Sequence, residues 1–171
     1  MIDLRVDADL SELGTLALRF PRLVQTEVGR ALHECCLTLV RTIKIAMPAT
    51  SGRMRASVSW AVDLNVARGD MVGRVFSQVP YAQAFEEGVK PGSWPPPAAL
   101  EEWAEHKAKR HAFIRKMGPK RFAFIVGRQI KKRGVQGHHI FRKAFESAQA
   151  YIHGRFSAAV TRIVRRANGG G

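Results

Sequence analysis

Met47-Pro48-Ala49-Thr50-Ser51-Gly52-Arg53-Met54-Arg55-Ala56-Ser57 separates a long helical pattern from a strand pattern. Pro48 cannot continue a helix, because it lacks the amide N–H and its ring clashes with the preceding turn. Gly52 permits the change of backbone sign that a sharp turn often needs. The hydroxyls of Thr50 and Ser51 can bond nearby backbone, as turn residues do. The expectation is a direct passage here from helix to sheet.

Upstream, residues 21–47 carry Val24, Val28, Leu32, Cys35, Leu39, Ile43 and Met47 every three or four positions, one apolar stripe of an amphipathic helix. Pro21 suits the first turn, where its missing N–H costs nothing. Arg22, Glu27, Arg30, Glu34, Arg41 and Lys44 lie mainly off the stripe. The helix is a rod of roughly 40 Å that needs a sheet or a partner helix. Residues 3–20 read as short and mixed, with Asp9 able to start a brief helix carrying Leu10, Leu13, Leu16 and Leu18.

Downstream, Val58, Trp60, Val62 and Leu64 alternate with Ser57, Ser59, Ala61 and Asp63, the pattern of a half-buried strand. Residues 71–76 form a second strand, and the two make an antiparallel hairpin around Gly69-Asp70. Residues 81–89 fit a helical turn or a third strand equally. Residues 90–97, with Gly92, Trp94 and three consecutive prolines, form a stiff connector of polyproline character. Short helices follow over 98–109 and 121–133, the second with Phe122, Ile125, Val126 and Ile130 on its stripe and Gly134 as its stop. Residues 110–118 read as a basic loop or a frayed continuation of the helix before them. A second long helix begins at His138 or His139, ends at Ala167, and carries Phe141, Phe145, Ala148, Ile152, Phe156, Ala159 and Ile163 on its stripe. The fold class is α+β: two long helices packed on a small antiparallel hairpin sheet, with shorter helices between. With 171 residues, no repeat and no linker, one domain spanning 1–171 is expected, with 1–20 as an N-terminal segment and 168–171 as a flexible tail.

The chain has 28 Lys and Arg against 14 Asp and Glu, a formal charge of +14. Such an excess speaks of partners, nucleic acid or acidic protein, and not of fold. It fits equally a soluble basic protein that meets no specific polyanion. The opening Met1-Ile2-Asp3-Leu4-Arg5 lacks a signal-peptide pattern. No apolar run approaches about 18 residues, so no membrane partner is expected. Cys35 and Cys36 are neighbours on a helix, poorly placed to bridge each other, and suit a reducing compartment.

Residues for catalysis are hard to find. His33 and Cys36 share a helix face, and His138-His139 could join them, but no Cys pair with zinc spacing exists. Buried thiols packing as small apolar groups is the better reading. There is no Gly-x-Ser-x-Gly elbow and no phosphate loop. Glu101, Glu102 and Glu105 read as solvated dipole partners of a helix start. No enzyme, cofactor or metal is therefore expected. Basic clusters stand at Lys107, Lys109, Arg110; at Arg115, Lys116, Lys120, Arg121; and at Lys131, Lys132, Arg133, with Phe113, Phe122 and Phe124 between them. Aromatics among cations can grip single strands, although Phe122 fits the core stripe. Several copies facing one axis would line it with positive charge suited to a duplex. Lys116, Lys120, Arg121, Lys131, Lys132 and Arg133 are the candidate DNA-facing residues.

The chain resembles the tail-completion (head–tail joining, neck) proteins of long-tailed bacteriophages, minor components of the tail. Their signature is a helix, then Pro-x-x-Thr-Gly-x-Leu-x-x-Ser, then a hairpin. Here Pro48, Gly52 and Ser57 match it, while Ser51 replaces Thr and Met54 replaces Leu. A Tyr-Ala-x-x-x-Glu-x-Gly block follows at Tyr81, Ala82, Glu86 and Gly88, with Glu87 for a usual aromatic and Val89 for a usual Thr. Then come Leu100 and Trp103, Ile130 and Gly134, and Phe141 and Ala144, in the family's order over residues 21–160. The resemblance implies a virion structural protein, made in the host bacterial cytoplasm and located in the neck or tail. It implies a homo-oligomeric ring, a hexamer, between the head connector or stopper and the tail tube or terminator. The genome would pass its lumen during ejection, in contact that is not sequence-specific. Pro48, Thr50, Ser51, Gly52, Ser57, Tyr81, Glu86 and Gly88 are then the candidate subunit-contact and turn residues. The competing expectation is a free basic nucleic-acid-binding protein.

Overall fold

The first long helix runs Pro21–Ala46 with proline in its first turn. The computed structural model describes residues 2–8, 14–48, 52–65 and 70–169. Every residue of the expected stripe, Val24 to Met47, is buried. Met47 leaves the helix in an extended conformation, as a residue before proline must.

In chain order the elements are β1 (Ile2–Ala8), α1 (Gly14–Arg19), α2 (Pro21–Ala46), α3 (Gly52–Ser57), β2 (Val58–Asn65), β3 (Asp70–Ser77) and α4 (Ala82–Glu87). There follow β4 (Gly88–Val89), α5 (Pro97–Ala108), α6 (Ala112–Met117), α7 (Pro119–Arg133), β5 (Val135–Gln136) and α8 (Ile140–Ala167). The class is α+β, with long helices and small antiparallel sheets. The chain divides into two compact units, Ile2–Gln78 with Ile140–Gly171, and Val79–His139. The second is an insertion in the sequence of the first.

The discontinuous unit has a three-stranded antiparallel sheet of order β1-β3-β2. The expected hairpin pairs Trp60 with Val75 and Leu64 with Met71. The residues between β2 and β3, 66–69, lie outside the described chain. The strand β1 corrects the mixed reading of the N-terminal segment. It pairs Leu4 with Val75 and Val6 with Gly73. Asp9, Leu10 and Leu13, the proposed start of the first helix, are outside the described residues; Leu16 and Leu18 lie in α1.

The sheet packs on α2 at very short range. A Cβ on Gly73 would stand 2.7 Å from Cys36 Sγ and 3.3 Å from Leu32 Cδ2, so only glycine allows this approach. α8 covers another side of α2 and runs antiparallel to it, because Glu27 meets Arg162 and Arg166 while Glu34 meets Arg155. Phe141, Ala144, Ala148, Ala159 and Ile163 are buried along α8.

Two further corrections concern the junction quoted first and Glu27. The helix does not pass directly into sheet: α3 intervenes, and Gly52 is its first residue. Arg55 of α3 donates to the Met47 carbonyl at the end of α2. Glu27, placed off the stripe by sequence, is fully buried. Its charge is met by two arginines from α8, which is how a buried carboxylate becomes tolerable.

In the inserted unit α5 lies against α7, and β4 pairs with β5 through Gly88–Gln136 and Val89–Val135. The undecided segment 81–89 is a short helix followed by a two-residue strand. Residues 112–117, read as a basic loop or a frayed continuation of the helix before them, form a separate short helix, α6. On α7 the buried positions are Ala123 and Gly127. Ile125, expected on the stripe, is 42% exposed. The reason is close packing: a Cβ on Gly127 would meet Leu100 Cδ1 at 3.1 Å and Trp94 Cζ2 at 3.2 Å, so α7 presents its small residues inward.

Candidate functional site

The turn motif is held by backbone and hydroxyl bonds. Ser57 donates to the Met54 carbonyl at 2.8 Å and shares a 2.7 Å hydrogen bond with Ser77 of β3. Met54, standing where the resemblance has Leu, is fully buried. Pro48 and Gly52 are exposed, whereas Thr50 and Ser51 lie outside the described residues.

The second block closes on itself. Tyr81 precedes α4, and its carbonyl accepts the Phe85 N–H at 2.9 Å. Glu86 is buried. Gly88 ends the helix at φ +85, and a Cβ there would lie 2.4 Å from the Val135 oxygen and 2.7 Å from the Gly137 nitrogen. Gly134, at φ +70, would place a Cβ 2.5 Å from the Val89 oxygen. The His138 and His139 amides then donate to the Phe85 and Glu86 carbonyls, at 2.9 and 3.1 Å. Two motif glycines, 46 positions apart in sequence, therefore sit on opposite sides of the β4–β5 pairing.

The six candidate DNA-facing residues, Lys116, Lys120, Arg121, Lys131, Lys132 and Arg133, are all exposed. Residues 107–133 hold eleven Lys and Arg and no Asp or Glu. The helical turn of 100° per residue places Lys120, Phe124, Arg128 and Lys131 in one line along α7, with Arg121, Ile125 and Lys132 beside it. Arg133 faces away from this line, and Lys116 belongs to α6. Lys131, Lys132 and Arg133 occupy the last turn, where cations also complement the helix dipole.

Aromatic groups flank these cations. Phe124 is 61% exposed, and its ring lies 5.8 Å from that of Trp94 at a tilt of 47°. Lys131 Nζ stands 5.8 Å above the Trp94 ring. Trp94, Pro97, Leu100, Glu101, Lys120, Ala123 and Phe124 line a small open cleft of about 130 Å³. The proline-rich connector is fixed in place, since Gly92 N–H donates to the Lys131 carbonyl at 2.7 Å. Phe122, expected in the core, is half-buried and stacks on Trp103 at 5.6 Å and 15°. Sequence reading missed Trp94 and Arg128 as members of this face. Their signals were a tryptophan just before a helix-opening proline run, and i, i+4, i+8 spacing from Lys120.

Cys35 and Cys36 are buried free thiols. Burial pushes both up to about 11, and for Cys36 the neighbouring Cys35 adds to it. They are thus neutral, packing thiols near pH 7. His33 meets Trp60 edge-on at 4.6 Å. Among the described residues no group of three or more His, Cys, Asp or Glu is arranged to hold a metal ion. No described helix is long and apolar enough to cross a membrane. No family model, curated protein or solved structure matches the chain.

Proposed function

We propose that this protein is a structural component of the neck or tail end of a long-tailed phage. It acts as one subunit of a homo-oligomeric, hexameric ring that joins the head connector to the tail tube and lets DNA pass. The observation that carries the reading is that Gly88 and Gly134 stand on either side of the β4–β5 contact, each against the backbone of the other's segment. Two blocks that the resemblance lists only in order are physical partners here, at positions where a side chain does not fit. Ser57 and the buried Met54 add a third block with a local structural reason.

Surface features support assembly. β1 and β2 are the outer strands of their sheet, and outer strands offer unpaired backbone to a neighbour. Leu37 and Ile45 stand exposed on α2, where a neighbouring subunit would cover them. Head-to-tail packing of identical subunits closes into a ring. Electron microscopy of the concentrated protein should show closed rings. Phage lacking the gene should accumulate full heads separate from tails. Normally joined particles in its absence would refute the proposal.

A second reading, a free basic nucleic-acid-binding protein, is favoured by the unbroken cationic run over residues 107–133. It requires salt-dependent retention on DNA. Absence of retention at low salt would remove it.

A further inference from the structure

The cations of α7 are arranged with an aromatic platform, and duplex binding has no use for one. Lys120, Phe124, Arg128 and Lys131 lie in one line, spaced by about 6 Å per four residues and roughly 16 Å in all. The cations in it stand about 12 Å (Lys120 to Arg128) and about 4.5 Å (Arg128 to Lys131) apart along the axis, room for an extended strand to cross Phe124 between two phosphate contacts. Phe124 is the most exposed aromatic ring of this helix, and Trp94 flanks it. Among the described residues Glu101 is the one carboxylate lining the neighbouring cleft. It disfavours phosphate there and can accept a hydrogen bond from an N–H of a base, the ring N3–H of thymine included.

We propose that the exposed face of α7, with Trp94 and the first turn of α5, binds single-stranded nucleic acid over about three nucleotides. Phosphates run along Lys120, Arg128 and Lys131, one base stacks on Phe124, and the next reaches the cleft beside Glu101. The physical basis is general: a base stacks on any aromatic face, and cations hold the backbone without reading sequence. Duplex DNA buries its base faces in its own stack, so Phe124 has nothing to stack on there. An acidic peptide would answer the charge but would not need the exposed ring. The inference deepens the nucleic-acid reading above and is independent of ring formation.

The test is fluorescence anisotropy with the full chain and three labelled probes: oligo(dT) of about 20 nucleotides, a duplex of equal length, and polyglutamate, at about 50 mM salt. Oligo(dT) should bind tightest. Phe124→Ala should weaken it about tenfold and change duplex binding less than twofold. Phe124→Trp should bind as the native chain does, and Phe124→Leu as weakly as Phe124→Ala, a pattern that loss of folding does not produce. Reversal of Lys120, Arg128 and Lys131 to Glu should abolish both nucleic-acid signals. Equal oligo(dT) and duplex affinity with no effect of Phe124→Ala overturns the proposal while salt-dependent nucleic-acid binding stands. Tighter binding of polyglutamate overturns it in favour of an acidic protein partner. No binding of either nucleic acid overturns both the proposal and the reading it rests on.

Discussion

Replacing Gly88 by alanine should open the β4–β5 pairing, and Gly118 provides the control. Both glycines have positive φ, +85 and +91. Each alanine therefore bears the same kind of backbone strain, about 1–3 kcal/mol. They differ in surroundings. A Cβ on Gly118 meets nothing within 4 Å, whereas on Gly88 it meets backbone atoms of Val135 and Gly137 at 2.4 and 2.7 Å. Backbone held in a ladder cannot yield as a side-chain tip can. Relief requires separating β4 from β5 and releasing the His138 and His139 amides from the Phe85 and Glu86 carbonyls. At a net value of about 1 kcal/mol per hydrogen bond, the extra loss in Gly88→Ala is about 2–3 kcal/mol. That corresponds to roughly 30- to 150-fold in an opening equilibrium. Hydrogen exchange at the His138 and His139 amides measures it directly. Those amides should exchange faster in Gly88→Ala than in Gly118→Ala by about that factor. Equal rates in the two variants would refute the steric argument.

Three other outcomes are expected. Arg162 hydrogen bonding, followed by the charges of Arg166 and Arg162, holds the Glu27 carboxyl below its ordinary value despite burial. A depressed carboxylate adds stability above its unfolded pKa of about 4.3 and loses it as pH falls through the folded value. Glu27→Gln should therefore cost about 2 kcal/mol near neutrality, with the gap to the native chain closing below about pH 4; a gap constant into acid would contradict this. Gly73→Ala should lose about 1–3 kcal/mol by overpacking, and most of it should return in a Cys36→Ala background, as denaturant titration of the double-mutant cycle would show. Cys35 and Cys36 should react with a disulfide reagent at pH 8 only as the chain unfolds, so fast labelling of the folded protein would contradict their burial.

Long periodic segments were the most legible. The stripe from Val24 to Met47 and the hairpin from Val58 to Phe76 needed only local spacing, and both formed as read. β1 was also legible, since Ile2, Leu4, Val6 and Ala8 alternate with Asp3, Arg5 and Asp7, but the leucines that follow drew the reading toward helix. α3 and α6 have six residues each, too few turns for a period to register. β4 and β5 have two each and exist because Gly88 and Gly134 bring them together. Glu27 looked like a surface carboxylate because its counter-ions come 135 and 139 positions later. On α7 the bulky-residue stripe misled about Ile125, since Trp94 and Leu100 approach so closely that only Ala123 and Gly127 fit between. The basic clusters were visible, but their grouping required knowing which cations share a line with Phe124.

That separation between Glu27 and its arginines bears on how the chain is made. While it emerges from the ribosome, α2 and its hairpin are complete by residue 77, yet Arg162 and Arg166 do not exist. The α2 groove that will receive α8 stays open while the whole of Val79–His139 is synthesised. A nascent chain halted in that interval carries an uncovered greasy flank on which Glu27 and Glu34 still lack their arginines. The last turns of α8 then act as a latch, and the first unit reaches its final form only after the second has already left the exit tunnel.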